Sequence, residues 1–96
     1  MLEYLYLGWT PLTDIRDLGE CTRLEWLGIS GNAIANLVGI EQLAGLRRLD
    51  ISTTNISDFS PLDDLPFLST IQISPEMERY LDTLARDDIE ILIDGS

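Results

Sequence analysis

The chain repeats itself every 22 residues, and this period constrains its fold more than any other feature. Three segments, 2–23, 24–45 and 46–67, carry apolar residues at the same seven positions, and a fourth copy begins at Leu68 and then departs from the pattern. In the second segment these positions are Leu24, Leu27, Ile29, Ile34, Leu37, Ile40 and Leu43. A fixed period of this size is typical of solenoids, in which each unit buries its apolar face only against its neighbours. The sequence therefore predicts one small domain of stacked coils.

Each coil divides into a strand and a return. The opening pattern Leu-x-x-Leu-x-Leu ends in an alternation of apolar and exposed residues, which is the period of a β-strand. Leu27 and Ile29 are predicted to point inward from the second strand. After the strand the apolar spacing widens to steps of three, which suit a 3-10 or short helical return. The predicted fold is thus a right-handed α/β solenoid with a curved parallel sheet.

Two polar positions also recur with the period. The first stands three residues after the last inward strand position, and its side chain is expected to bond free backbone groups of the turn. The second stands four residues later and is expected to shape the turn by capping local backbone. The two sets are Thr10, Asn32 and Thr54, and Asp14, Asn36 and Asp58.

This pattern resembles the leucine-rich repeat family. The segment 54–68 is similar to the 22-residue class found in bacterial internalins and in the protein phosphatase 1 regulator of eukaryotes, and the resemblance covers residues 2–73. It implies that partners bind the exposed strand positions on the concave face. Two of the three ladder residues, Thr10 and Thr54, are threonine where the family usually has asparagine, which predicts a slightly weaker ladder.

The pattern breaks after Ile73, and the remaining residues are interpreted as a C-terminal cap. Residues 1–73 are expected to form three full repeats and one partial repeat, and residues 74–96 the cap of the same domain. Ser74 and Pro75 are typical of a helix start, and a final strand is predicted over 89–94. A helix over residues 75 to about 86 is expected to cover the last core layer with Met77, Tyr80, Leu81 and Leu84. The alternative is a helix that docks another domain.

Composition excludes several function classes. The net charge is −11, with 17 acidic residues against six arginines, so binding to nucleic acid or to an anionic membrane is not expected. No apolar run approaches the roughly 18 residues of a membrane span. The chain has no histidine, no nucleophile or phosphate-binding motif, and a single cysteine, Cys21, in a leucine position that predicts a small buried residue. We therefore expect no enzyme activity, no cofactor and no metal.

The exposed strand positions are the candidate functional surface. One row along the sheet is Tyr4, Trp26, Arg48 and Thr70, and the next is Tyr6, Gly28, Asp50 and Gln72. Strands lie about 4.8 Å apart, so Tyr4 is expected to touch Trp26, Arg48 to lie over the indole, and Gly28 to leave a hollow. The predicted partner-binding residues are Tyr4, Tyr6, Trp9, Trp26, Arg48 and Asp50.

Two functions remain open on this evidence. The first is a module that binds a protein or peptide on the concave face, because aromatic residues with an arginine have hot-spot composition. The acidic residues favour a basic partner. The second is an assembly role, in which the open N-terminal coil stacks on further repeats of a longer chain or on a second copy. Under that alternative the N-terminal aromatic residues are interface core. We favour a chain that is part of a larger protein.

Overall fold

The computed structural model describes residues 3–93, which form a solenoid around one parallel sheet. The sheet has five strands in sequence order, and each strand pairs in parallel with the next. The strands are β1 (Tyr4–Tyr6), β2 (Trp26–Gly28), β3 (Arg48–Asp50), β4 (Thr70–Ile73) and β5 (Glu90–Ile93). The predicted solenoid with a parallel sheet and short helical returns is confirmed.

The strand register follows the repeat. Leu5 aligns with Leu27, Leu27 with Leu49 and Leu49 with Ile71, so each step along the sheet advances the chain by one 22-residue period. The last step is shorter, because Ile71 aligns with Ile91. Equal spacing places identical repeat positions on top of one another, and this is how the sequence aligns its exposed side chains in rows.

Short 3-10 helices return the chain from one strand to the next. They are η1 (Ile15–Leu18), η2 (Ile40–Gln42), η3 (Ser60–Asp64) and η4 (Pro75–Thr83). The recurring polar residue before each of the first three returns bonds the backbone two positions on. Asp14 accepts from the Arg16 N–H at 2.9 Å, Asn36 from the Val38 N–H at 3.1 Å, and Asp58 from the Ser60 N–H at 3.0 Å.

These turn contacts also affect two carboxyl groups. The pKa of Asp14 is lowered, chiefly by its hydrogen bonds with the Arg16 side chain, and the pKa of Asp58 is lowered, chiefly by the Ser60 backbone N–H. Both groups therefore favour the charged form in the folded chain. Their contribution to stability is present above the usual aspartate pKa and is lost as the pH falls through the lowered folded value.

The core runs through the coils as stacked apolar layers. Leu27, Leu49 and Phe59 are fully buried, as are the equivalent residues of the second and third coils. The first coil is less covered, because Leu5 and Leu7 are only partly buried. The prediction that Cys21 is buried is wrong. Cys21 is half-buried. Within residues 3–93 only the second coil packs against the first, so the other side of the first coil is uncovered.

The polar ladder forms as predicted and is centred on Asn32. The Asn32 amide donates to the Leu7 carbonyl of the preceding coil at 2.7 Å and to the Ile29 carbonyl of its own coil at 2.9 Å. Thr54 has a shorter side chain and donates only to the Ile51 carbonyl of its own coil, at 2.8 Å. An asparagine therefore joins two coils at this position, whereas Thr54 stabilises one turn.

The position just before each ladder residue adopts the left-handed backbone conformation. Its φ is 59° at Trp9, 74° at Gly31 and 55° at Thr53. Only the glycine takes this conformation without a steric cost, and a β-branched residue such as threonine is a clear outlier there. The solenoid turn imposes this geometry on each coil, since the three positions are one repeat period apart.

The segment after β4 is helical, but it is a nine-residue 3-10 helix and not the longer helix predicted to reach residue 86. The Ser74 side chain does not cap the helix. Its hydroxyl instead accepts from the Thr53 backbone N–H of the preceding coil. Thr83 ends the helix, because its hydroxyl donates to the Tyr80 carbonyl and accepts from the Phe59 N–H at 2.7 Å. The side chains predicted to cover the core are Met77, which is buried, and Tyr80, Leu81 and Leu84, which are partly buried against it.

Strand β5 follows this helix and continues the parallel sheet. The predicted strand bounds reach Asp94, which lies outside the described residues. Assignment of residues 74–96 as a terminal cap remains a prediction, since β5 pairs with β4 just as an internal strand does.

Arg86 joins the last return to the third coil. Its guanidinium donates to the carbonyl oxygens of Leu62 at 3.2 Å, Leu65, and Leu68 at 3.0 Å. The same group binds Asp88 through both carboxylate oxygens, at 2.9 and 3.1 Å. Its side chain is only 16% exposed. A planar fork of five donors suits this arrangement, because one side chain can serve several acceptors that lie in a row.

Candidate functional site

The parallel register collects the predicted site residues on one face of the sheet. Tyr4 aligns with Trp26 and Trp26 with Arg48, while Tyr6 aligns with Gly28 and Gly28 with Asp50. Trp9 lies beyond β1, next to the second coil. All six predicted partner-binding residues therefore occupy one continuous area of the molecule. We call Tyr4, Tyr6, Trp9 and Trp26 the aromatic cluster.

The contacts inside the aromatic cluster differ from those predicted. The ring that packs against Trp26 is Tyr6, with centroids 6.2 Å apart and planes at 37°. Within residues 3–93 no ring contact joins Tyr4 to Trp26, and Arg48 does not stack on the indole. The diagonal pair forms because the Tyr6 side chain leans along the sheet towards the second strand.

The predicted hollow at Gly28 is also absent, because aromatic rings fill it. A β-carbon placed on Gly28 would lie 2.5 Å from the Tyr6 ring and 2.9 Å from the Trp26 ring. The Tyr6 hydroxyl reaches past the glycine to the Ser30 Oγ at 3.1 Å, and Ser30 is buried beneath it. The absence of a side chain at Gly28 thus makes room for the Tyr6 ring. The ring packs against Gly28, and its hydroxyl is fixed by the hydrogen bond to Ser30.

Trp9 packs in a similar way on the next coil. A β-carbon on Gly31 would lie 2.3 Å from the Trp9 indole. The other side of the ring faces solvent, and Trp9 is 73% exposed, while Tyr4 is 67% exposed. Large aromatic side chains that pack against backbone on one side and are exposed on the other are unusual on a surface with no binding role.

A small cavity lies beside Trp26, further along the sheet. Its volume is about 60 Å³. It is lined by Trp26, Arg48, Leu49, Asp50, Thr70 and Gln72, and we call it the Thr70 cavity. Asp50 is held in place there, because its Oδ1 accepts from the Ser52 backbone N–H at 3.1 Å and from the Ser52 hydroxyl at 2.8 Å.

Thr70 and Gln72 line this cavity but were not predicted as site residues, although the sequence assigned both to the exposed strand positions. Thr70 was expected to be exposed and is 8% exposed. Gln72 is half-buried beside it. The available signal was the repeat itself, since both residues continue the rows that hold Trp26 and Asp50.

A second feature that the sequence did not indicate lies just before the N-terminal ends of β2 and β3. Arg47 places its guanidinium 5.5 Å from the centroid of the Phe67 ring and pairs with Glu25 at 3.3 Å. Arg47 therefore makes a cation–π contact with Phe67, whereas the contact predicted between Arg48 and Trp26 does not form within residues 3–93. The Arg48 side chain has no ion pair or hydrogen bond within residues 3–93.

A larger depression of about 330 Å³ lies between the start of the third return and η4. Its polar side chains are engaged or open to water. The Thr54 hydroxyl bonds the Ile51 carbonyl, and Asn55, Glu76 and Arg79 are exposed. Nothing in it is both buried and without a partner, so it is a weaker candidate than the concave face.

Neither a metal centre nor a membrane span is found among residues 3–93. No three acidic or cysteine side chains there are close enough to hold a metal ion. No helix in this range has the length and hydrophobicity needed to cross a membrane.

The sequence comparison decides the family. The sequence profile described as "Leucine Rich repeats (2 copies)" matches residues 22–64, the segment that contains the second coil and most of the third. Residues 22–64 are therefore leucine-rich repeats. No curated protein sequence matches it.

Solved leucine-rich repeat structures match over nearly the whole chain. An internalin (inlF) from Listeria monocytogenes is 29% identical, with a TM-score of 0.71, and the alignment covers 96% of this chain and 28% of the internalin. An internalin C2 (inlC2) from the same species is 30% identical, with a TM-score of 0.72, and covers 96% and 42%. The chain thus spans less than half the length of either internalin. The leucine-rich repeats of residues 22–64 indicate a module for protein–protein interaction.

Proposed function

We propose that this leucine-rich repeat domain binds a protein or peptide across its concave sheet face. The predicted contacts are Tyr4, Tyr6, Trp9, Trp26, Arg48 and Asp50. The observation that carries the proposal is the aromatic cluster, in which the exposed rings of Tyr6 and Trp9 pack against Gly28 and Gly31 and Trp26 is half-buried. Trp, Tyr and Arg are the residue types that dominate binding energy at protein interfaces.

The packing of the cluster supports this role energetically. Tyr6 is held by the Trp26 ring, by the Gly28 backbone and by its bond to Ser30. A side chain that is already ordered in the free protein loses little conformational entropy when a partner covers it. The rings therefore offer a large apolar contact area in a preorganised form.

Charge suggests two scales of recognition. The chain carries a net charge of −11, which at long range favours the approach of a basic partner. At contact range the face is balanced, because Arg48 and Asp50 line the same cavity. We propose that the overall charge accelerates association, whereas the local pair selects what docks.

Replacement of Trp26 by alanine should abolish most of the binding. The probes are peptides selected on the wild-type protein from a displayed library of random peptides. We expect their affinity to fall by at least about 30-fold, since loss of an interface anchor costs about 2 kcal/mol or more. Isothermal titration calorimetry gives the affinity, and thermal unfolding gives the stability.

Glu20→Ala is the matched control, because Glu20 is exposed on the outer return. It should leave affinity unchanged. Unchanged peptide affinity in Trp26→Ala, together with a large fall in melting temperature, would assign the indole to the core and refute the proposed binding face.

Assembly through the first coil is a second candidate function. Its support is that Leu5, Leu7 and Leu12 are only partly buried, whereas their counterparts Leu27, Ile29 and Ile34 are fully buried. A further coil or a second copy stacked on this end would cover them. Under this function, sedimentation velocity should show the mass of the chain rising with concentration, and Leu7→Asp should restore the monomer. A monomer at all concentrations favours the concave-face function.

A further inference from the structure

We propose that the Thr70 cavity recognises a side-chain carboxamide, that is, an asparagine or glutamine of the bound peptide. This inference rests on the proposed function and specifies the chemistry of the partner at one point of the concave face.

The first observation is a largely buried threonine whose hydroxyl has no partner within residues 3–93. Thr70 is 8% exposed, and its hydroxyl makes no hydrogen bond within residues 3–93, although its backbone N–H bonds the Arg47 carbonyl. Buried hydroxyl groups in native proteins normally have a partner. No fully enclosed polar side-chain atom in the described part of the chain lacks one. The Thr70 hydroxyl is therefore not enclosed by the protein, and Thr70 lines the cavity from which a ligand group could bond it.

The second observation is the set of polar groups around that hydroxyl. The Arg48 guanidinium and the Gln72 amide have no hydrogen-bond partner among residues 3–93. Asp50 uses Oδ1 for Ser52 and leaves Oδ2 available. In this cavity Arg48 offers hydrogen-bond donors and a positive charge, and Asp50 offers an acceptor and a negative charge. Thr70 and Gln72 can each donate and accept.

This balance selects a neutral ligand group. A carboxylate would pair with Arg48 but face the charge of Asp50, and an ammonium group would meet the opposite conflict. A carboxamide satisfies both, because its oxygen accepts from Arg48 or Thr70 while its NH2 donates to Asp50 or Gln72. A site built to bond such a group disfavours analogues that leave its polar groups unpaired.

Size agrees with this assignment. The volume of about 60 Å³ corresponds to about four waters. The end of an asparagine side chain, a methylene followed by a carbon, an oxygen and a nitrogen, has a similar bulk. The Trp26 ring beside the cavity gives the apolar part of that side chain a surface to contact.

The test uses peptides selected on the wild-type protein from the random display library. We expect the Trp26-dependent binders to share an Asn or Gln at one position. Changing that residue to Asp or Ala in the peptide should weaken binding about tenfold, as expected for loss of hydrogen bonds in a buried site.

Two variants of the protein identify the groups involved. Thr70→Val should weaken the amide peptide about tenfold but leave the alanine peptide unaffected, and its melting temperature should stay equal or rise because the hydroxyl has no partner in the protein. Asp50→Asn keeps an oxygen for Ser52 and places a donor in the cavity, so it should reverse the preference from amide to acid. Arg79→Ala, far from the cavity, is the control and should change nothing.

The outcomes separate this inference from the proposed function. Trp26-dependent binders with no shared amide, or a Thr70→Val variant that weakens both peptides equally, overturn the cavity assignment and leave the binding face intact. A Thr70→Val variant that leaves the affinities of both peptides unchanged means that the cavity holds only water, and this result overturns the cavity assignment too. A library with no Trp26-dependent binder overturns both proposals.

Discussion

Phe59→Ala is expected to lower the free energy of unfolding by about 3–5 kcal/mol, the usual cost of deleting a buried phenylalanine ring. Phe59 is 0% exposed and lies in the core of the third coil. Its backbone N–H also bonds Thr83 at the end of η4, so the ring packs where the third coil meets the C-terminal segment. In a chain of this length, a loss of that size lowers the melting temperature by roughly 12–40 °C. Urea unfolding followed by circular dichroism measures the effect.

Phe67→Ala is the matched control for this change. Phe67 is 56% exposed and contacts the Arg47 guanidinium, so its loss should cost less than about 1 kcal/mol. Phe59→Leu should fall between the two, because the equivalent position of the second coil is Leu37. Equal losses for the two alanine variants would contradict the packing described for the third coil.

Arg86→Met is expected to cost about 2–4 kcal/mol, since hydrogen bonds to charged groups contribute about 1.5–3 kcal/mol each and the freed carbonyls recover part of this from water. The methionine keeps the apolar stem but leaves the Leu62, Leu65 and Leu68 carbonyls without the guanidinium. Arg86→Lys should recover only part of the loss, because an ammonium group cannot serve acceptors spread along a return. Arg79→Met is the control, as Arg79 is exposed.

The pH dependence of the Arg86 variant gives a second measurement. Hydrogen bonding to Arg86 lowers the pKa of Asp88. The contribution of Asp88 is therefore present above the usual aspartate pKa of about 3.9 and is lost as the pH falls through the lowered folded value. The difference between wild type and Arg86→Met should shrink in acid, while the part due to the three carbonyls persists. A difference that vanishes entirely would mean that only the ion pair matters.

The binding and assembly experiments act on different surfaces of the molecule. Trp26 and Thr70 lie on the strand face, and Leu7 lies in the first coil. Because Leu7 packs against the core of its coil and is not part of the exposed strand face, the two sets of variants should be separable in practice. A domain that both assembles and binds would respond to each set independently.

The repeat period alone was sufficient to predict the architecture. Seven apolar positions repeated every 22 residues leave only one way to bury each face, which is to stack equal coils. Strand register, the inward direction of Leu27 and Leu49, and the bonding of Asn32 all follow from that spacing. Even the composition of the concave rows could be read directly, because residues one period apart must lie side by side.

Side-chain contacts on the concave face depended on the tertiary structure. The sequence placed Tyr4 beside Trp26 in register, which is correct, but the ring that touches Trp26 is Tyr6. Rotamer choice decides this, and it depends on what each side chain meets across the sheet. Gly28 is a second example. A glycine in the row leaves a space that is either open or filled by a neighbouring side chain, and only the structure shows that the Tyr6 ring fills it.

The C-terminal segment and the turn conformation were likewise decided by tertiary contacts. Over nine residues, apolar spacings of three and four do not separate a 3-10 helix from an α-helix. The hydrogen bonds of Thr83 and the extended backbone at Leu84 determine where η4 ends. Thr53 takes the left-handed conformation, although the preference of a β-branched residue opposes it. Arg86 gave no sequence signal, because an arginine in a polar stretch is usually solvated. Local sequence therefore determined the period, the strands and the core of this protein, while the long-range packing of one coil on the next determined where individual polar and aromatic side chains point, because their bonding partners lie about one repeat away along the chain.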